Sequence, residues 1–273
     1  MGGPNQVPAG IDVRVPSVAR MYDYYLGGKD NFASDREAAE KMIEIGRQMG
    51  NDTRQITLAN RGFLGRAVRE LAEAGIRQFI DLGAGLPTQD NVHQVAKRHA
   101  PDARVVYVDN DPIVLIHARA LLAGDPEVIA VQGDIRDPDA ILKDPQVTAH
   151  LDLTQPYAVL MVAVLHFIVD DEEAARITAG VRERLVPGSY LALSHIYEGN
   201  AAADLAEASQ QVYKQTAPGG IARRGLDQIS GFFDGMDLLE PGVVPVSDWD
   251  PRSLPRNVDL VRPGIVAGVA RKP

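Results

Sequence analysis

The chain has 273 residues, enough for one large α/β domain or for a domain with a cap. A net charge of −9 speaks against indiscriminate attraction to nucleic acid or to an anionic membrane. The absence of cysteine excludes disulfides, thiolate metal sites and a cysteine nucleophile.

The opening residues, MGGPNQVPAG, carry no apolar stretch, so no secretory signal is expected. Residues 1–16, rich in Pro and Gly, read as a loose arm. SVARMYDYYLGGKDNF follows, broken at Gly27-Gly28. Its tyrosines pair an apolar ring with a polar end, which suits either a lid over a ligand or the docking of a leader on a core. Tyr22, Tyr25 and Asn31 are therefore candidate ligand contacts. Ser34 and Glu37 have capping-box spacing and predict a helix with Ala38, Met42, Ile45 and Met49 along one face. Asp52 with Gln55 marks another start, and Ile56, Ala59, Phe63, Ala67 and Leu71 share a face until Gly75. Residues 1–75 thus read as an arm and helical cap, and 76–273 as a sheet-based ligand-binding domain.

From Gln78 strand and helix patterns alternate. Strands are predicted at 78–82, 104–108, 128–132, 157–164 and 189–195. A helix capped by Asp111 opens on Pro112 and ends at Gly124. Another runs from Asp170 to Pro187-Gly188 with Ala174, Ile177, Val181 and Leu185 inward. Continuously apolar runs such as YAVLMVAVL belong in a parallel sheet covered on both faces, so the expected fold is doubly wound, mostly parallel α/β. LLEPGVVPV and PGIVAGVA have no helix-length segment between them and are expected as an antiparallel pair closing the sheet edge. In SGFFDGMDLL, one of Phe232 and Phe233 should face the core, and the other is a candidate pocket wall. The longest apolar stretch, 157–169, is too short to cross a bilayer and contains His166, so a cytoplasmic protein without a membrane partner is expected.

Ligands of open α/β sheets bind beyond the carboxyl ends of the strands. FIDLGAGLPT ends the first such strand with Asp81, Gly83, Ala84 and Gly85, whose glycines let backbone approach a ligand closely. Thr88 stands where a dinucleotide fingerprint has its third glycine, and is expected to cap a helix whose amides favour a negative group. VVYVDNDP places Asp109 where a carboxylate can accept from a ribose diol, with Asn110 or Asp111 as alternatives. VQGDI brings Asp134 toward an exocyclic amine and the Ile135 amide toward a ring nitrogen. Ribose and adenine recognition without a strong phosphate cradle describes adenosine with an amino-acid tail, and Asp81 suits its ammonium. The expected ligand is S-adenosylmethionine.

At these residues the chain resembles class I S-adenosylmethionine-dependent methyltransferases, through FIDLGAGLPT, VVYVDND, VQGDI and VLHFIVDDEEA. More narrowly it resembles an actinobacterial methyltransferase family long catalogued as being of unknown function. That match lies in ARMYDYYLGGKDNFASDREAAE, LGAGLPTQDNVHQVA, VVYVDNDP and GVARKP and spans nearly the whole chain. The resemblance implies a seven-stranded Rossmann-like sheet, an N-terminal helical cap, and S-adenosyl-L-homocysteine as the product of the cofactor. It implies little about the methyl acceptor.

Methyl transfer needs a base only where the acceptor must lose a proton. His166 after the fourth strand and His195 after the fifth are the candidates, set against the plainer reading of packed histidines. No His-Glu-x-x-His pattern occurs, so no metal is expected. An Asn-Pro-Pro-Tyr-like sequence is lacking after the fourth strand, which with the acidic charge favours a small-molecule acceptor over nucleic acid. The competing readings are an NAD-dependent oxidoreductase, which Thr88 and Asp134 oppose, and a non-catalytic S-adenosylmethionine-binding protein.

Overall fold

The computed structural model describes residues 12–87, 90–122, 124–216, 219–253 and 260–273. Parallel strands form at the predicted apolar runs: β1 (Gln78–Leu82), β2 (Arg104–Asp109), β3 (Val128–Gln132), β4 (Ala158–Val162) and β5 (Tyr190–Tyr197). The chain ends in β6 (Asp237–Leu238), β7 (Val244–Pro245) and β8 (Gly264–Arg271), all antiparallel to their neighbours. The order is β3-β2-β1-β4-β5-β8-β6, with β7 also on β8. Eight strands therefore occupy the seven expected places, because the edge strand is split around Pro241 and Gly242. A proline lacks the amide that a continuous ladder needs. LLEPGVVPV and PGIVAGVA form the expected antiparallel pair at the sheet edge, with β8 lying between β5 and the split strand.

Helices cover both faces. One apolar cluster joins the sheet to α3 (Thr53–Glu73), α4 (Val92–His99) and α5 (Pro112–Leu122). The other joins it to α6 (Pro138–Leu142), α7 (Pro145–His150), α8 (Asp171–Arg184) and the turn after α10 (Leu226–Gly231). Asp52 caps α3 by accepting from the Arg54 and Gln55 amides, and Asp170 caps α8 by accepting from Glu173. The place of α3 in the chain predicts a cap helix, yet it sends Phe63, Leu64, Ala67, Val68 and Leu71 into the sheet core. Phe63 meets buried Trp249 edge to face, with ring centroids 5.2 Å apart. Phe232 and Phe233 are both buried, the first beside His195 and the second against Gly268. Neither walls a pocket, because the chain forms a turn there and both rings reach the sheet.

The leader is a satellite of this core. Helices α1 (Val18–Tyr25) and α2 (Ala33–Gln48) pack together with Tyr213 of α9 (Ala203–Lys214) and with Ile221. The Ser34–Glu37 capping box does not form. Helix α2 starts two residues earlier, with Phe32 at its cap position, and Asp35 supplies the carboxylate that accepts from the Phe32 amide at 2.7 Å. Ser34 is diverted to the Val13 carbonyl. The same Asp35 carboxylate accepts from the Ser17 amide at 2.9 Å and from Arg20 Nε at 2.7 Å, and both charged side chains are buried. Among the described residues no helix is long and apolar enough to cross a membrane.

Removing one partner of a buried ion pair strands the other charge. Asp35→Ala should therefore cost about 3–5 kcal/mol of unfolding free energy, read from urea denaturation. A loss below about 1 kcal/mol would mean that Asp35 does not organise the leader.

Candidate active site

Strand order reverses between β1 and β4, where a doubly wound sheet leaves a crevice at its carboxyl ends. A cavity of about 710 Å³ occupies it, within the range of small-molecule sites. Residues 83–86, 109–113 and 133–136 build one wall; α1, α2 and the start of α3 roof it. His166, Phe167, Tyr213, Ile221, Arg223 and Ile265 line it as well. Of the sequence-predicted contacts, Tyr22, Tyr25, Asp81, Gly83, Ala84, Gly85, Asp109, Asn110, Asp134, Ile135 and His166 line this one space. Asn31 and His195 do not.

The two glycines serve different ends. Gly83 has φ 75°, and a Cβ there would stand 2.3 Å from Val164, so the turn after β4 needs this glycine. Gly85 has φ 64° and faces open space, and its amide donates to Asp109 Oδ2 at 2.9 Å. Asp109 Oδ1 accepts from the Asp111 amide at 2.9 Å. An ionised carboxylate has about four acceptor positions, so these amides leave acceptor capacity for a ligand. Burial raises the Asp109 pKa, opposed by those amides. Asp134 is exposed and accepts from the Arg136 amide at 2.9 Å.

Asp81 is the more perturbed group. Burial drives its pKa to about 7, countered by the charge of Arg61 and reinforced by Asp109. Arg61, on α3, also lines the cavity and donates to the Asp90 carbonyl at 3.2 Å. The helix expected to start at Thr88 begins later; Thr88 lies outside the described residues, and α4 starts at Val92 after Asn91. Its first turn lines a small hollow that shares Arg61, Asp81, Ala84 and Gly85 with the main cavity.

His166 sits in a 3-10 turn, Leu165–Phe167, directly after β4. It is buried, and among the described residues its Nδ1 has no hydrogen-bond partner. Burial, then His195 and Arg224, hold its pKa well below 6.5, so it is neutral at physiological pH. His195 differs. Its Nδ1 donates to the Ile196 carbonyl at 2.7 Å, and its Nε2 accepts from Arg224 Nη1 at 2.8 Å. With both nitrogens engaged and its pKa lowered to about 3, chiefly by burial, His195 is a packing residue and not a base. Asn31 likewise holds the leader, donating to Asp23 Oδ2 at 2.8 Å and to the Gly28 carbonyl at 3.1 Å. Among the described residues no three His, Asp or Glu side chains gather to hold a metal.

Comparison with known proteins decides the class. A family described as S-adenosyl methyltransferase matches residues 4–273. The chain belongs to the S-adenosyl methyltransferase family. S-adenosylmethionine is thus its cofactor and methyl transfer its reaction class. A candidate methyltransferase from Thermobifida fusca YX, known from a crystal structure, is 39% identical, covers 97% of this chain and 98% of its own, and superposes with a TM-score of 0.85. A DUF574 family protein from Streptomyces avermitilis is 38% identical, with coverage of 96% and 99% and a TM-score of 0.84. No curated protein matches the chain.

Among the lining residues that escaped the sequence reading are Asn60, Arg61 and Arg223. Asn60 left a signal, since it lies between Ile56 and Phe63 on the apolar face of α3, where a polar side chain needs a buried partner. Arg61 and Arg223 left none, because each belongs to the site through tertiary contacts.

The raised pKa of Asp81 gives a pH signature. Between about 4 and 7 the native state keeps a proton that the unfolded chain has released, so Asp81 costs stability increasingly as pH rises and fully above about 7. In ligand-free protein, Asp81→Asn should therefore raise the melting temperature by several degrees at pH 8 and hardly at pH 4. An equal shift at both values would contradict the buried, perturbed carboxylate.

Proposed function

We propose that this enzyme methylates a small-molecule acceptor enclosed beneath α1, α2 and α3. The observation that carries the reading is continuity: the strand-tip wall and the apolar side chains under the leader belong to one cavity. A space roofed by helices suits a small molecule better than a nucleic-acid duplex.

The residues present fit the cofactor. Asp109, with acceptor capacity left, would take the ribose hydroxyls, and Asp134 with the Ile135 amide would read adenine. Gly85, open on its Cβ side, admits the ligand against the backbone of Gly83 and Ala84. Asp81 would receive the ammonium, and Arg61 beside it has the charge for the carboxylate. Asn110, Tyr22 and Tyr25 complete the lining. When bound, S-adenosylmethionine supplies a methyl group activated by a positively charged sulfur.

Transfer in line demands alignment of the acceptor, which the apolar walls and the roof provide. His166 offers a neutral, unpartnered Nδ1 to the hydrogen carried by the accepting atom. So weak a base suits an acceptor hydrogen that is already acidic.

Calorimetry with S-adenosylhomocysteine should show binding, and Asp109→Ala should abolish it. Affinity should rise with pH up to about 7 and level off, because the ammonium meets ionised Asp81; Asp81→Asn should weaken binding and remove that slope. His166→Asn should leave binding intact and lower kcat by about 100-fold. Folded protein that binds neither S-adenosylmethionine nor its demethylated product would end this reading.

A further inference from the structure

The cavity also carries a cation in apolar surroundings. Arg223 is half-buried and lines the space with Met42, Ile45, Met49, Phe167 and Ile221. Its Nη2 donates to Ser209 Oγ at 2.8 Å, and Nη1 touches Met49 Sδ at 3.7 Å. Among the described residues it has no carboxylate partner, and its pKa is lowered by burial, with Tyr213 acting in the opposite sense. Its neighbour Arg224 is engaged on Asp171, His195 and the Ile168 carbonyl. A guanidinium left half-desolvated has unsatisfied donors that match a carboxylate fork.

A second observation points to the same ligand. The Tyr25 hydroxyl is buried in the cavity wall, where its one polar neighbour among the described residues is the Tyr213 side chain, too poorly aligned to satisfy it fully. Burying a hydroxyl unpaired is costly, which favours a ligand atom that completes it. Tyr25 and Tyr213 pack in one cluster, and both line the same cavity as Arg223. The Ala222 amide, next in the chain to Arg223, donates to the His166 carbonyl at 2.7 Å.

We propose that the methyl acceptor is an apolar molecule bearing a single carboxylate, gripped by Arg223 and the Tyr25 hydroxyl while its accepting atom lies toward His166. This rests on the methyltransferase reading above. A phosphate dianion fits less well, because one guanidinium neutralises half of it. The C-terminal end of α2, at Met49, also turns the negative end of its dipole this way.

The test is calorimetry on the full chain saturated with S-adenosylhomocysteine, using 3-phenylpropanoate, its primary amide and phenyl phosphate as probes. The acid should bind at least about tenfold tighter than the amide, and tighter than the phosphate. Arg223→Met should erase the acid–amide difference and leave S-adenosylhomocysteine affinity unchanged, and Arg223→Lys should restore part of it. Equal binding of acid and amide by the wild type, binding of no probe, or preference for the phosphate overturns the proposal while the cofactor reading stands. Failure to bind S-adenosylhomocysteine at all removes the cofactor reading, and this proposal with it.

Discussion

A buried relay through Asn60 ties the site together. The Ala163 amide donates to Ser194 Oγ at 2.9 Å, and that hydroxyl donates to Asn60 Oδ1 at 2.7 Å. Asn60 Nδ2 donates to the Tyr22 hydroxyl at 2.9 Å, which reaches the Thr57 carbonyl. In these few bonds β5, the tip of β4, helix α3 and the leader meet. Inside protein such a network is strong when complete and expensive when broken, so it holds the roof at one height above the strand tips. Ser17 adds a stitch from the leader to the end of β2, donating to Asp111 at 3.2 Å.

The relay also sustains strain. Ala163 has φ 57°, a conformation that alanine adopts only where its surroundings enforce it. The kink ends β4, drives Val164 onto Gly83 and delivers His166 to the cavity. Gly83 and Ala163 are thus two halves of one joint. The first yields space because it lacks a Cβ; the second is held by Ser194 in the geometry that uses the space.

Charge is distributed unevenly along the cavity. Carboxylates from β1, β2 and the turn after β3 gather at the strand tips, where burial raises the pKa of Asp81 and Asp109. Neutral His166, Arg223 and apolar side chains line the same cavity. Arg223 and Arg224 are adjacent in the chain yet opposite in fate. The segment pairs with β5 at Tyr197, and successive side chains along extended chain point opposite ways. One arginine turns inward to lock His195 and the start of α8, and the other turns to the cavity.

What the sequence determined by itself was local and periodic. The five parallel strands, the Asp52, Asp111 and Asp170 caps and the acidic strand tips follow from runs and punctuation a few residues long. Because strand ends of a doubly wound sheet converge, chain position alone assigns Asp81, Asp109 and Asp134 to one crevice. Tertiary structure decided what depends on distance along the chain. It placed α3 on the sheet, began α2 at Ala33 with Asp35 as its capping carboxylate, and began α4 only at Val92. It also separated His166, whose Nδ1 is left unpaired, from His195, whose nitrogens are both engaged, although each follows a strand in an apolar context. The reason is physical: a side chain's partners come from segments tens to hundreds of residues away, and only packing brings them within about 3 Å.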